Sequence, residues 1–133
     1  MSIHPRLVSQ KGMNNKWPPM PIVIIGIIYV YFEIIFFIAS HIICILHQTI
    51  VFTLFGAPKF PLKDFIVLDR GKLNKLTWVQ RVGWLYCGDA NGLMAWIKAT
   101  VNVTEVYSCA IKHSVRKQGQ EHQKGFYEYG EFR

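Results

Sequence analysis

The stretch at residues 21–56, PIVIIGIIYVYFEIIFFIASHIICILHQTIVFTLFG, carries one formally charged side chain, Glu33. A helix needs roughly 20 apolar residues to cross a hydrocarbon core of about 30 Å, and this run exceeds that length without an internal proline. It reads as an uncleaved transmembrane helix over 21–56. The apolar run is too long for a signal peptide, and no small-x-small cleavage site follows it. A helical hairpin would need a turn near Ala39-Ser40-His41-Ile42, where no turn chemistry is present, so one long helix is expected.

At about 100° per residue, most of the less apolar side chains of this helix fall on one stripe. Gly26, Tyr29, Glu33, Ser40, Cys44 and His47 recur at steps of three, four or seven, with His41 and Gln48 on the flank and Tyr31 off the line. Such a stripe is the pattern of a packing seam, and it marks these six residues as the candidate surface for another membrane protein or a second copy. A carboxylate at membrane depth is costly and is expected to face protein, water or a base. For Glu33, a protonated hydrogen-bonded role and a proton-handling role both stay open. His41 and His47 read as interface polar groups rather than metal ligands.

Outward from this helix, the flanks are basic. Arg6, Lys11 and Lys16 precede it, and Lys59, Lys63, Arg70, Lys72 and Lys75 follow, a bias that favours a cytoplasmic C-terminus. The net charge of +7 suits anionic lipid headgroups on that leaflet. Nucleic acid is disfavoured, because no recognisable binding motif accompanies the charge. Residues 1–20 read as a polar tail with Trp17 at the first interface, and Pro21 suits a first helical turn.

Residues 57–71, with Pro58 and Pro61, read as a connector whose 64–69 stretch extends along the membrane surface. The following module, 72–116, is expected to hold about three short helices. One covers 72–86, with Leu73, Leu76, Val79, Val82 and Tyr86 on an apolar face and Lys72, Lys75 and Arg81 opposite. Gly88-Asp89-Ala90-Asn91-Gly92 has turn composition, and a second helix follows over 93–101. Asn102 with Glu105 fits an N-cap and its reciprocating acid, starting a third helix to about 114. Residues 117–133 read as a mobile polar tail. The expected fold is therefore all-α, a single long membrane helix and a small helical cytoplasmic module.

Three cysteines are too few for a disulfide framework. If the turn at 88–92 folds two helices together, Cys87 can join Cys109 and His113, four residues apart on a helix, around one zinc or iron ion. The alternative is that both cysteines are small packing residues and His113 a surface base. No phosphate loop, nucleophile elbow or H-E-x-x-H motif is present, and no catalytic residue is assigned.

The blocks Tyr86-Cys87-Gly88-Asp89-Ala90-Asn91-Gly92, Thr104-Glu105-Val106-Tyr107 and Cys109-Ala110-Ile111-Lys112-His113 together resemble a family of small, uncharacterised bacterial membrane-associated proteins. Their pattern is Asn-Cys-x-Tyr-Cys-x-Tyr-Ala-Asn-Gly followed by Arg-Thr-Glu-x-Tyr-x-Cys-x-Ile-Lys-His. The resemblance runs from Val67 to His113 and places the family's later cysteines on Cys87 and Cys109. Trp84 stands where the family's first cysteine would be, and Asp89 where an aromatic is usual. A metal or disulfide site built on the family cysteines would lack one ligand here, with Asp89 the available oxygen substitute. The resemblance implies a bacterial inner-membrane setting and names no activity. The function expected is that of a membrane-anchored accessory or assembly protein, and the alternative is a metal- or thiol-dependent redox protein.

Overall fold

The structure, a computed structural model, describes residues 19–133, and of residues 70 and 71 the backbone alone. Expectations resting on Arg6, Lys11, Lys16 and Trp17 lie outside the described residues. Two α-helices carry the fold, α1 (Met20–Phe55) and α2 (Trp78–Ser108), with short 3-10 turns at Leu62–Asp64, Asp69–Lys72, Glu121–Gly125 and Tyr129–Phe132.

The apolar run forms α1 almost to the residue. Pro21 occupies the first turn, where its missing N–H costs nothing. Gly56 ends the helix in a left-handed conformation (φ 65), which lets the Ala57 N–H reach the Phe52 carbonyl at 2.9 Å. Thirty-six residues give a rod about 54 Å long. It is the one helix among the described residues long and apolar enough to cross a bilayer.

The module differs from the expected three short helices: α2 is a single helix of 31 residues. It starts at Trp78 rather than residue 72, behind a reciprocal cap in which the Gln80 N–H donates to the Thr77 hydroxyl and the Thr77 N–H to the Gln80 side chain. The Gly88–Gly92 segment is helical, not a turn. Its glycines make room for the connector: a Cβ on Gly92 would lie 2.5 Å from Ile66 Cγ1, and one on Gly88 3.1 Å from the Val67 carbonyl oxygen. Asn91 turns its amide back to the Cys87 carbonyl at 2.8 Å instead of breaking the helix. Asn102 is likewise interior to α2 and caps nothing.

The two helices run parallel, with Glu33 opposite Tyr86, Gln48 opposite Thr100 and His47 opposite Thr104. A parallel pair needs a return connection, and residues 57–77 supply it. The connector runs back along α2, with Phe60 beside Trp96, Ile66 at Gly92 and Val67 at Gly88. It lies against the helix pair. The core forms where the three segments meet, around Cys44, Leu93 and Trp96, with Phe37, Phe60, Leu62, Phe65 and Ile97 packed against them.

The C-terminal segment is also ordered by packing. Tyr127 donates its N–H to the Ala110 carbonyl and accepts the Lys112 N–H, each at 2.9 Å, forming a parallel bridge of Ile111 with Tyr127. Phe126 and Gln123 are buried. The stretch expected as a mobile tail is thus folded back onto the end of α2.

Candidate functional site: a polar seam between parallel helices

The stripe on α1 meets α2 through a ladder of polar contacts. Starting from the N-terminal side, the Tyr86 hydroxyl donates to Glu33 at 3.1 Å. One helical turn along, Tyr86 and Phe37 pack edge to face at 5.7 Å between ring centres. His41 donates from Nδ1 to the Phe37 carbonyl at 2.8 Å and sets Nε2 3.3 Å from the Asp89 carboxylate. Asp89 therefore forms an interhelical contact with His41.

The middle of the ladder is buried. The Thr100 hydroxyl donates within its helix to the Trp96 carbonyl at 2.9 Å, which leaves its oxygen to accept from the Gln48 amide at 2.9 Å and the Cys44 thiol at 3.5 Å. Gln48 also accepts the Phe60 N–H at 3.2 Å, tying helix to connector, and Trp96 donates its indole N–H to the Phe60 carbonyl at 3.1 Å. Both backbone polar groups of Phe60 are thus satisfied by side chains, which a buried connector requires. At the far end the Thr104 hydroxyl donates to the Thr100 carbonyl at 2.8 Å, so His47 Nε2, 2.8 Å from it, serves as donor. Rings continue outward from His47 through Phe52 to Phe60 and Phe65, each pair in contact at 5.7 to 6.0 Å.

Of the six residues expected on the seam, Glu33, Cys44 and His47 contact α2, and Ser40 lies half-buried between them. Gly26 and Tyr29 continue the same line beyond that ladder; Tyr29 is 64% exposed, and a Cβ on Gly26 would meet nothing within 4 Å. Gln48, placed on the flank, is the side chain that joins all three segments. Its signal was its polarity inside an apolar run, but its partners are set by tertiary packing.

The candidate thiol and imidazole ligands are not brought together. Cys87 lies within α2 and Cys109 caps its end, and twenty-two helical steps separate them by about 33 Å. His113 lies past the helix end rather than one turn from Cys109 along it. Among the described residues no group of three His, Cys, Asp or Glu side chains converges on a point. Cys87 and Cys109 are exposed free thiols, whereas Cys44 is buried. Cys87 lines a shallow cleft of about 400 Å³ with Val67, Asp69 and Asn91. Under native conditions a maleimide reagent is expected to label Cys87 and Cys109 while Cys44 reacts only after unfolding; equal labelling of all three, read by peptide mass spectrometry, would refute the buried seam.

A second polar cluster joins the C-terminal segment to α2. Glu105 accepts from His122 at 2.6 Å and from the Gln123 amide at 2.9 Å. Glu105 has the spacing of a helix-cap acid but serves here as an acceptor for the C-terminal segment, and neither His122 nor Gln123 carries a local signal, because they lie 17 and 18 residues away. Comparison with known proteins gives no family model, no curated relative and no solved structure that matches this chain.

Proposed function

We propose that the chain is a membrane-anchored accessory or assembly protein of the bacterial inner membrane, its C-terminal unit on the cytoplasmic side, contacting other membrane proteins and anionic lipid. The observation that carries the reading is the distribution of the seam on α1. From Glu33 to His47 the polar stripe is occupied by α2, whereas Gly26 and Tyr29 prolong it on the same face as a small-and-aromatic patch that α2 does not reach, among the described residues. The opposite side of α1, through Ile24, Ile28, Ile35 and Ile42, is exposed and apolar, as a lipid-facing surface should be. A small residue beside an aromatic lets a second helix approach closely, and packing rather than hydrophobicity drives helix association in lipid. The likeness to the family with the Ala-Asn-Gly block supports the bacterial setting, as do the lysines after α1 for orientation.

Photocrosslinking distinguishes the two sides of α1. A crosslinker at Tyr29 is expected to capture a protein adduct, a partner or a second copy, while one at Tyr31, about 200° around the helix, captures lipid alone. Lipid adducts from both positions would remove the partner contact.

The alternative, a metal- or thiol-dependent redox protein using Cys87, Cys109 and His113, is favoured by one observation, the exposure of Cys87 within its cleft. Because α2 holds the two cysteines apart, such chemistry would run between copies or with a partner thiol. Maleimide labelling of Cys87 that is lost on mild oxidation and regained on reduction would mark it.

A further inference from the structure

The C-terminal segment forms a cleft of about 550 Å³ whose walls include Lys112, Arg116, Lys117 and Lys124, with Glu121 and Glu128 as its acids. Both acids are engaged. Glu128 pairs with Lys112. Glu121 accepts the Gly119 N–H at 3.2 Å and has the Lys98 ammonium nearby; the N–H groups of its own residue and of Gly119 hold its carboxyl below the usual range. Arg116, Lys117 and Lys124 have no carboxylate partner among the described residues. Three cations without a direct carboxylate partner leave the lining with more positive than negative charge, which raises the local potential for an anion.

The loop bearing them is held at both ends and from beneath. The bridge of Ile111 with Tyr127 closes its base. Glu105 grips His122 and Gln123 from α2. Gly119, at φ 79, crosses directly over Lys98, where a Cβ would come 2.6 Å from the Nζ. A loop with closed ends and its own internal packing presents its cations in a set arrangement, which lowers the ordering cost of binding. An arginine flanked by lysines matches phosphate oxygens, since the guanidinium offers a planar fork and the ammonium groups add charge.

We propose that this cleft, formed by Arg116, Lys117 and Lys124 on a loop pinned to the end of α2, binds a phosphate group, carried by a phospholipid headgroup or by a soluble phosphorylated molecule. The site is separate from the interhelical seam and from the basic residues near 72–81; its headgroup arm rests on the anionic-lipid contact proposed above, and its soluble-phosphate arm does not.

The test uses the full chain in nanodiscs, with hydrogen exchange of the 112–124 segment as readout. In phosphatidylcholine alone, added pyrophosphate probes a soluble phosphate; nanodiscs of phosphatidylcholine mixed with phosphatidylglycerol probe the headgroup. Protection in the first arm assigns a soluble ligand, and protection only in the second assigns the lipid. Arg116→Ala with Lys117→Ala and Lys124→Ala is expected to weaken the binding on the order of a hundredfold, whereas Lys72→Ala with Lys75→Ala leaves it nearly unchanged. The three side chains lie at the surface, and unchanged exchange within α2 would verify that the variant folds. No saturable protection in either arm, or an equal loss in the two variants, would overturn the site.

Discussion

Gly92→Ala is expected to destabilise the fold by about 1–3 kcal/mol, even though alanine is the better helix former by about 1 kcal/mol. The added Cβ would sit 2.7 Å from the Phe65 carbonyl oxygen and 2.9 Å from Ile66 Cα, and both are backbone atoms that no rotamer change can move. The connector must therefore shift away from α2, loosening the packing of Phe60 and Phe65 on Trp96 and Leu93. Gly83→Ala is the control on the same helix. Nothing lies within 4 Å of its Cβ position, so it should stabilise by about 0.5–1 kcal/mol. Denaturant titration in detergent compares the pair, and hydrogen exchange over 58–72 locates the change. If both glycines gain stability on substitution, Gly92 does not serve as the connector's seat.

Trp96→Ala should cost about 3–5 kcal/mol, the range for removing a large aromatic from a closed core. Trp96 is 3% exposed and sits between Cys44 of α1 and Phe60 of the connector. Its removal leaves a cavity where three segments meet and strands the Phe60 carbonyl that its indole N–H satisfies. Trp96→Phe separates the two effects. It retains most of the volume while deleting the donor, and the loss should fall to about 1–3 kcal/mol, the cost of an unsatisfied buried acceptor together with a small void. Unfolding followed by tryptophan-independent far-ultraviolet dichroism checks both variants. Equal, small losses would mean that α2 and the connector are not closely packed there.

The helix of spanning length was legible from sequence because its signal is local: an apolar run with one charged side chain, delimited by Pro21 and Gly56, specifies helix and boundaries without reference to anything else. The polar stripe was legible for the same reason, since helical periodicity places Glu33, Cys44 and His47 on one face whatever covers them. The misreadings share a cause. Glycine, aspartate and asparagine at 88–92 favour a turn in isolation, yet here small size serves close approach, and Asp89 serves a contact with His41. Asn102 and Glu105 fit a capping spacing by coincidence, while the working cap, Thr77 with Gln80, lay in the same sequence and was masked by the apolar periodicity extending back to Leu73. The C-terminal segment looked solvated because its charges suggest water, and its ordering depends on Glu105, far from His122 in the chain.

By itself, then, the sequence determined that the chain is helical, that residues 21–56 make a rod of spanning length, and that this rod has one polar face. These follow from backbone sterics and from hydrophobic periodicity, which act over a few residues. Only the tertiary structure decided what covers that face, that α2 runs parallel to α1 as one helix, and that a connector fills the groove between them. It also set apart Cys87 and Cys109 and gathered Arg116, Lys117 and Lys124 around one cleft. Those outcomes depend on shape fit and on hydrogen bonds between residues tens of positions apart, where a glycine is selected by the space its neighbour leaves and a threonine by the glutamine facing it.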